Sequence, residues 1–111
     1  MSLDFSLIVT DKDGNRITVL DKNITSNLAD MAEEAGIYDA LWHPEKHGVK
    51  YARGLISGLQ LAVEMMTHDP ERFKKHNSPN GWGLYENFFT FVTEVLEACW
   101  TYPSSEISVW I

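Results

Sequence analysis

Leu3-Asp4-Phe5-Ser6-Leu7-Ile8-Val9 is the stretch on which the fold class turns. Leu3, Phe5, Leu7 and Val9 fall on one side of an extended chain and Asp4, Ser6 and Ile8 on the other. That period of two predicts a strand with one buried face. Asp11-Lys12-Asp13-Gly14-Asn15 follows as turn chemistry, because Gly and Asn tolerate the positive φ of a hairpin loop. Ile17, Val19 and Leu20 supply the returning strand, so a β-hairpin is expected over residues 3–21. At the other end of the chain, Tyr102-Pro103-Ser104-Ser105 is a break, after which Ile107, Val109 and Ile111 alternate as a last strand. That strand is short and suits a sheet edge, where a partner strand can add.

Between these ends the apolar period becomes helical. Leu28, Met31, Ala32 and Ala35 form one stripe behind the capping candidates Asn23, Thr25 and Ser26. Gly36-Ile37 reads as a left-handed stop with its hydrophobic follower, and Tyr38 to Trp42 as a further turn that His43-Pro44 ends. A second helix is expected over about residues 49–67, with Ala52, Leu55, Ile56, Leu59, Val63 and Met66 inward. Gly54, Gly58 and Ala62 recur on another side of it. An interior glycine costs ~1 kcal/mol against alanine, so this stripe points to close approach of a neighbouring helix or strand, or to a dimer contact or ligand. Asp69-Pro70-Glu71 caps a short helix over residues 70–76. A third long helix over about residues 84–100 turns Tyr85, Phe88, Val92, Val95, Leu96 and Cys99 inward, with Glu86, Thr90, Thr93, Glu94 and Glu97 outward. The order predicts one α+β domain over residues 1–111. In it an N-terminal hairpin and a C-terminal strand share a small mixed or antiparallel sheet, and three main helices pack on one face.

Composition narrows the classes of function. The 111 residues are 44% apolar and 12% aromatic, which suits a packed core and excludes a disordered or low-complexity chain. Nine Lys and Arg against 16 Asp and Glu give a formal charge of −7. The one dense basic patch, Arg72-Phe73-Lys74-Lys75-His76, follows Asp69 and Glu71. Nucleic-acid binding is disfavoured by this balance, and contact with a basic protein surface is favoured. The single cysteine allows no intrachain disulfide. With no N-terminal apolar targeting run and no stretch near the ~20 apolar residues of a membrane span, the expectation is a cytoplasmic protein without a membrane partner.

The candidate chemistries are few. Asp11, Asp13 and Asn15 imitate the start of a calcium loop, but Arg16 stands where glycine is required and Lys22 where glutamate is. A hairpin turn accounts for them. His43 and His47 have the spacing of a zinc pair, yet Pro44 separates His43 from any helix that begins there, so solvated histidines and no metal are expected. Cys99 lies on an apolar stripe and reads as structural. Asn80-Gly81-Trp82-Gly83 before a helix suits either a ligand loop, through close backbone approach and helix-terminal amides, or a tight loop whose tryptophan staples the next helix. Trp110 alternates out of phase with Ile107, Val109 and Ile111, so it shows an indole either to a partner or to a satellite core.

Several segments taken together resemble a family of small proteins of phages, prophages and bacterial genomes. They are Asn23-Ile24-Thr25-Ser26-Asn27-Leu28, Ala35-Gly36-Ile37-Tyr38-Asp39-Ala40-Leu41-Trp42, Asp69-Pro70-Glu71-Arg72-Phe73 and Asn80-Gly81-Trp82-Gly83-Leu84-Tyr85-Glu86, running on to Ala98-Cys99 and Tyr102-Pro103. The resemblance covers roughly residues 3–111 and implies no activity, substrate, catalytic residue or cofactor. It does group Asn23, Asn27, Tyr38, Trp42, Asn80, Trp82 and Tyr85 as a binding face, whose amides and aromatics suit a polar molecule or a peptide. The reading that follows is a non-enzymatic binding protein of phage or mobile-element type. It would act by protein contact (as an inhibitor, counter-defence or immunity-like protein), with Trp110, Glu94 and Glu97 toward the partner and a homodimer as a further option. The alternative is a small polar ligand held by the Asn/Trp/Tyr group.

Overall fold

A computed structural model describes residues 2–111. Three strands, β1 (Ser2–Thr10), β2 (Arg16–Thr25) and β3 (Glu106–Trp110), form one antiparallel sheet in the order β2-β1-β3. The helices are α1 (Ala29–Glu34), α2 (Tyr38–Trp42), α3 (Ile56–His68), α4 (Pro70–Lys74) and α5 (Tyr85–Thr101). The architecture is the expected α+β one, with the hairpin at one end of the chain and the last strand at the other.

The alternation of β1 places Leu3, Phe5 and Leu7 in the core, fully buried, while Asp4 is exposed on the opposite face. The hairpin loop is closed by Asp11, whose carboxylate accepts from the backbone N–H groups of Asp13 and Asn15 at 2.9 and 2.8 Å, with Gly14 at φ 84°. These hydrogen bonds hold the Asp11 carboxyl below its ordinary pKa.

The hairpin is longer than expected. β2 runs to Thr25, so Asn23 and Thr25 are strand residues, and of the three capping candidates it is the Thr25 hydroxyl that accepts from the Asn27 N–H at 3.2 Å. Leu7 pairs with Leu20 but Ile8 with Thr18, so Val19 is the extra residue of a β-bulge. The bulge is why two adjacent apolar residues, Val19 and Leu20, both pack against the core.

α1 ends as its sequence predicts. The Ile37 N–H donates to the Ala32 carbonyl and the Gly36 N–H to the Glu33 carbonyl, both at 3.0 Å, with Gly36 at φ 74° and Ile37 buried. This is the Schellman arrangement. The second helix starts later than residue 49, because Tyr51 bridges Glu106 and the Ala52 N–H donates to the Ser105 carbonyl, keeping residues 50–51 extended. A 3-10 turn over Ala52–Leu55 leads into α3. α4 stops at Lys74, short of residue 76, and the Asp69 side chain makes no capping hydrogen bond.

α5 lies over the sheet through aromatic packing. Phe91 meets Phe5 edge-on, with centroids 6.2 Å apart, and stacks on Phe88 at 6.4 Å. Its place in the core was missing from the expected stripe, although it lies three residues from Phe88. The glycines of the second helix part company. A Cβ at Gly54 would meet Val49 Cγ1 at 2.9 Å, as close approach requires, whereas one at Gly58 would meet nothing within 4 Å. Gly58 is therefore not demanded by packing within the chain. Among the described residues no helix is long and apolar enough to cross a membrane.

Candidate functional site

The Asn-Gly-Trp-Gly segment forms a loop clamped at its backbone. The Asn80 carboxamide oxygen accepts from the Trp82 N–H at 2.9 Å and from the Ser78 hydroxyl, while Asn27 Nδ2 donates to the Trp82 carbonyl at 2.9 Å. The Ser78 N–H closes the loop onto the Gly83 carbonyl at 3.1 Å. Gly83, at φ 112°, lies so near Asn27 that a Cβ there would stand 3.0 Å from Asn27 Cβ. Only glycine combines that conformation with that approach. Both polar groups of the Trp82 backbone are thus held by side chains, and the indole nevertheless stands 72% exposed. It is not the staple of α5. Asn77 fills that structural role, accepting from the Tyr85 N–H at 2.7 Å, with Asn87 accepting from the Leu84 N–H at 3.2 Å. Asn77 carried no signal in the sequence, because its partner lies eight residues downstream, outside any local capping pattern, whereas Asn87 stands three residues from Leu84, at the spacing of a local cap.

Trp82 borders a cavity of about 640 Å³ lined also by Ser2, Asn23, Thr25, Ser26 and Asn27. Asn23 Nδ2 donates to Asp4 Oδ1 at 2.6 Å and to Ser2 Oγ at 3.1 Å. Across β1, Asp4 pairs with Trp110 of β3 just as it pairs with Asn23 of β2, and directly paired residues share a sheet face. Asn23, Asp4 and Trp110 therefore form one row on the face away from the helices, about 10 Å from first to last at ~4.8 Å per strand. Trp110 is 73% exposed, on the solvent side of its strand and outside any satellite core. The structure thus joins Asn23, Asn27 and Trp82 with Trp110 along one end of the sheet. Ser2 and Asp4 belong to the same surface, and only the strand register reveals them.

The remaining members of the expected binding face lie elsewhere. Trp42 is 3% exposed and stacks on Tyr38 with centroids 5.2 Å apart, so it is core. Tyr38 itself borders a different cleft of about 350 Å³, with Asp39, Pro44, His47, Val49 and Leu55. That cleft shares no lining residue with the Trp82 cavity. There His47 Nε2 meets Asp39 Oδ2 at 3.3 Å, and the His43 ring meets Tyr38 edge-on at 5.7 Å. Tyr85 is a tie between helices, its hydroxyl donating to the Met66 carbonyl at 2.8 Å and its ring stacked on Phe89. Burial and the neighbouring Glu86 push its phenol above the ordinary pKa. Asn80 spends its side-chain oxygen within the loop. Of the acidic pair, Glu94 is engaged by Lys22 of β2, whereas Glu97 is exposed.

Two further groups settle what the charges do. Glu34 gathers His76, Arg72 and Lys75, at 3.2, 2.8 and 3.1 Å, so three members of the basic patch are turned to one carboxylate. These partners, with the hydrogen bond from His76 foremost, pull its pKa from 4.5 to about 2. Cys99 is fully buried and desolvation pushes its thiol to about 11, so it is held protonated and unreactive near neutral pH.

Compared with models of known protein families, with curated protein sequences and with solved structures, the chain gives no match.

Proposed function

We propose that the chain is a small non-enzymatic binding protein that works by contact with a protein partner, through the sheet end that carries Trp82 and Trp110. One observation supports this above the others: the Trp82 backbone is fixed on both sides while its indole projects into solvent. Holding a loop in its bound shape removes part of the ordering cost of association, and a large rigid aromatic is the commonest kind of interface anchor. The exposed Asn23 and Asp4 lie in one row with Trp110, a polar stretch beside an aromatic as interfaces have. A formal charge of −7 favours a partner with a basic surface. An inhibitor, counter-defence or immunity-like role in the cytoplasm fits the small size, the acidity and the exposed aromatics.

Affinity capture from the source cells tests the reading, with thermal melts of each variant alongside. Trp100→Ala serves as the control, since Trp100 is also exposed, at 61%, but lies on α5. The expected result is one protein bound equally by wild type and by the Trp100→Ala variant. Trp82→Ala should bind it about 30-fold more weakly, the effect of an interface hot spot, without a lower melting temperature. Equal capture by all three overturns the placement. A co-purifying species of small-molecule mass that Asn23→Ala loses would replace the protein contact with a polar ligand in the 640 Å³ cavity.

A further inference from the structure

β3 bonds to β1 along one edge, and its other edge is only partly used. There the Ile107 N–H donates to the Lys50 carbonyl at 2.9 Å, and Tyr51 forms an antiparallel bridge with Glu106. The chain thus begins a fourth strand on this edge and abandons it, because Gly48 at φ 70° turns it into the 3-10 helix Pro44–His47. Backbone alternation decides what is left. Since the Ile107 N–H points away from β1, that of Ser108 points toward β1 and that of Val109 away again, together with the Val109 carbonyl. These two groups open onto a groove of about 430 Å³ with Pro44, Val49, Ile107 and Val109 as its apolar wall. Glu45 and Glu106 stand at its rim. Lys50 is also on the rim, its ammonium 5.6 Å from the Tyr51 ring centroid, while Glu106 pairs with Arg16 at 3.7 Å and Glu45 lies 3.6 Å from His43.

We propose that this edge takes an extended segment of the protein partner as an added strand, a use that rests on the protein-contact reading above. Main-chain pairing with Val109 sets the register. Apolar side chains of the segment then face Val49 and Val109, and alternate side chains on the other face, basic ones among them to suit a chain of charge −7, meet Glu106 and the exposed Trp110. The free edge from Ser108 to Trp110 spans roughly three or four residues, so the strand supplements the Trp82 anchor. A second copy of this chain is the poorer occupant, because two copies each carrying a charge of −7 repel one another.

Val109→Pro is the decisive variant. Its N–H takes no part in the β1–β3 ladder, so proline there deletes the outward donor and leaves the ladder intact. Val109→Thr keeps the donor. Capture of the partner should fall at least tenfold for Val109→Pro and hold for Val109→Thr. On wild-type protein, acetyl-Lys-Val-Thr-Val-Lys-amide should slow hydrogen exchange at the Val109 amide about tenfold. The same peptide N-methylated at its threonine should not, which keeps the test independent of how well the proline variant folds. Equal capture by the two variants overturns strand addition, as does equal protection by the two peptides. Val109 protection that appears with protein concentration alone overturns it in favour of a second copy. Each of these leaves the Trp82 result standing, whereas capture that survives Trp82→Ala removes the reading beneath.

Discussion

At the scale of single residues, the molecule separates groups that hold it together from groups left free to bind, and the distinction is one of partners. Glu34 is held by Arg72, Lys75 and His76 together, so its charge belongs to the fold. Its carboxyl is depressed from 4.5 to about 2, so the folded state binds this proton more weakly than the unfolded state does. Linkage gives the sign: the contribution is fully present above pH 4.5 and is lost as pH falls toward 2. Glu34→Gln should therefore lower the melting temperature at pH 7, and the gap to wild type should close over that window, as melts across pH will read. Trp82 is the opposite case, since its backbone partners fix the loop while its side chain stays largely exposed. Residue type told part of this in advance. Asn27 and Trp82 were legible as members of one face, but Trp42 was not legible as core, because an aromatic before a proline turn looks the same whether buried or bare.

At the scale of elements, what was legible is what local physics fixes. The β1 alternation, the α1 stripe and the Gly36-Ile37 stop each depend on neighbours within a turn or two, and each stands as expected. The start of the second helix depends on Glu106, more than fifty residues away, and no local pattern carries that. The bulge at Val19 is similar, since a register slip is a property of two strands. Gly58 gives a test of how completely packing explains α3. With nothing within 4 Å of the added methyl, Gly58→Ala should stabilise the protein by about 1 kcal/mol in urea unfolding. A loss of stability would mean that a contact at this face had been overlooked.

At the scale of the whole molecule, the sheet is what converts separate sequence signals into a surface. Asn23 and Trp110 lie at opposite ends of the chain, and Asp4 between them makes them neighbours. Their adjacency follows from the strand order β2-β1-β3, which the sequence left open between mixed and antiparallel forms.

That strand order also has a consequence for synthesis. β1 is made before the helices and its partner β3 after them, so a growing chain carries the β1 edge unpaired, with Leu3, Phe5 and Leu7 beside it, until β3 has been made. The proposed contact is then complete only in a chain that has been read through β3. A ribosome that stalls before Glu106 releases a sticky edge in place of an active protein. A chain ending at Ser105 should accordingly sediment as aggregate where the full chain stays in the supernatant.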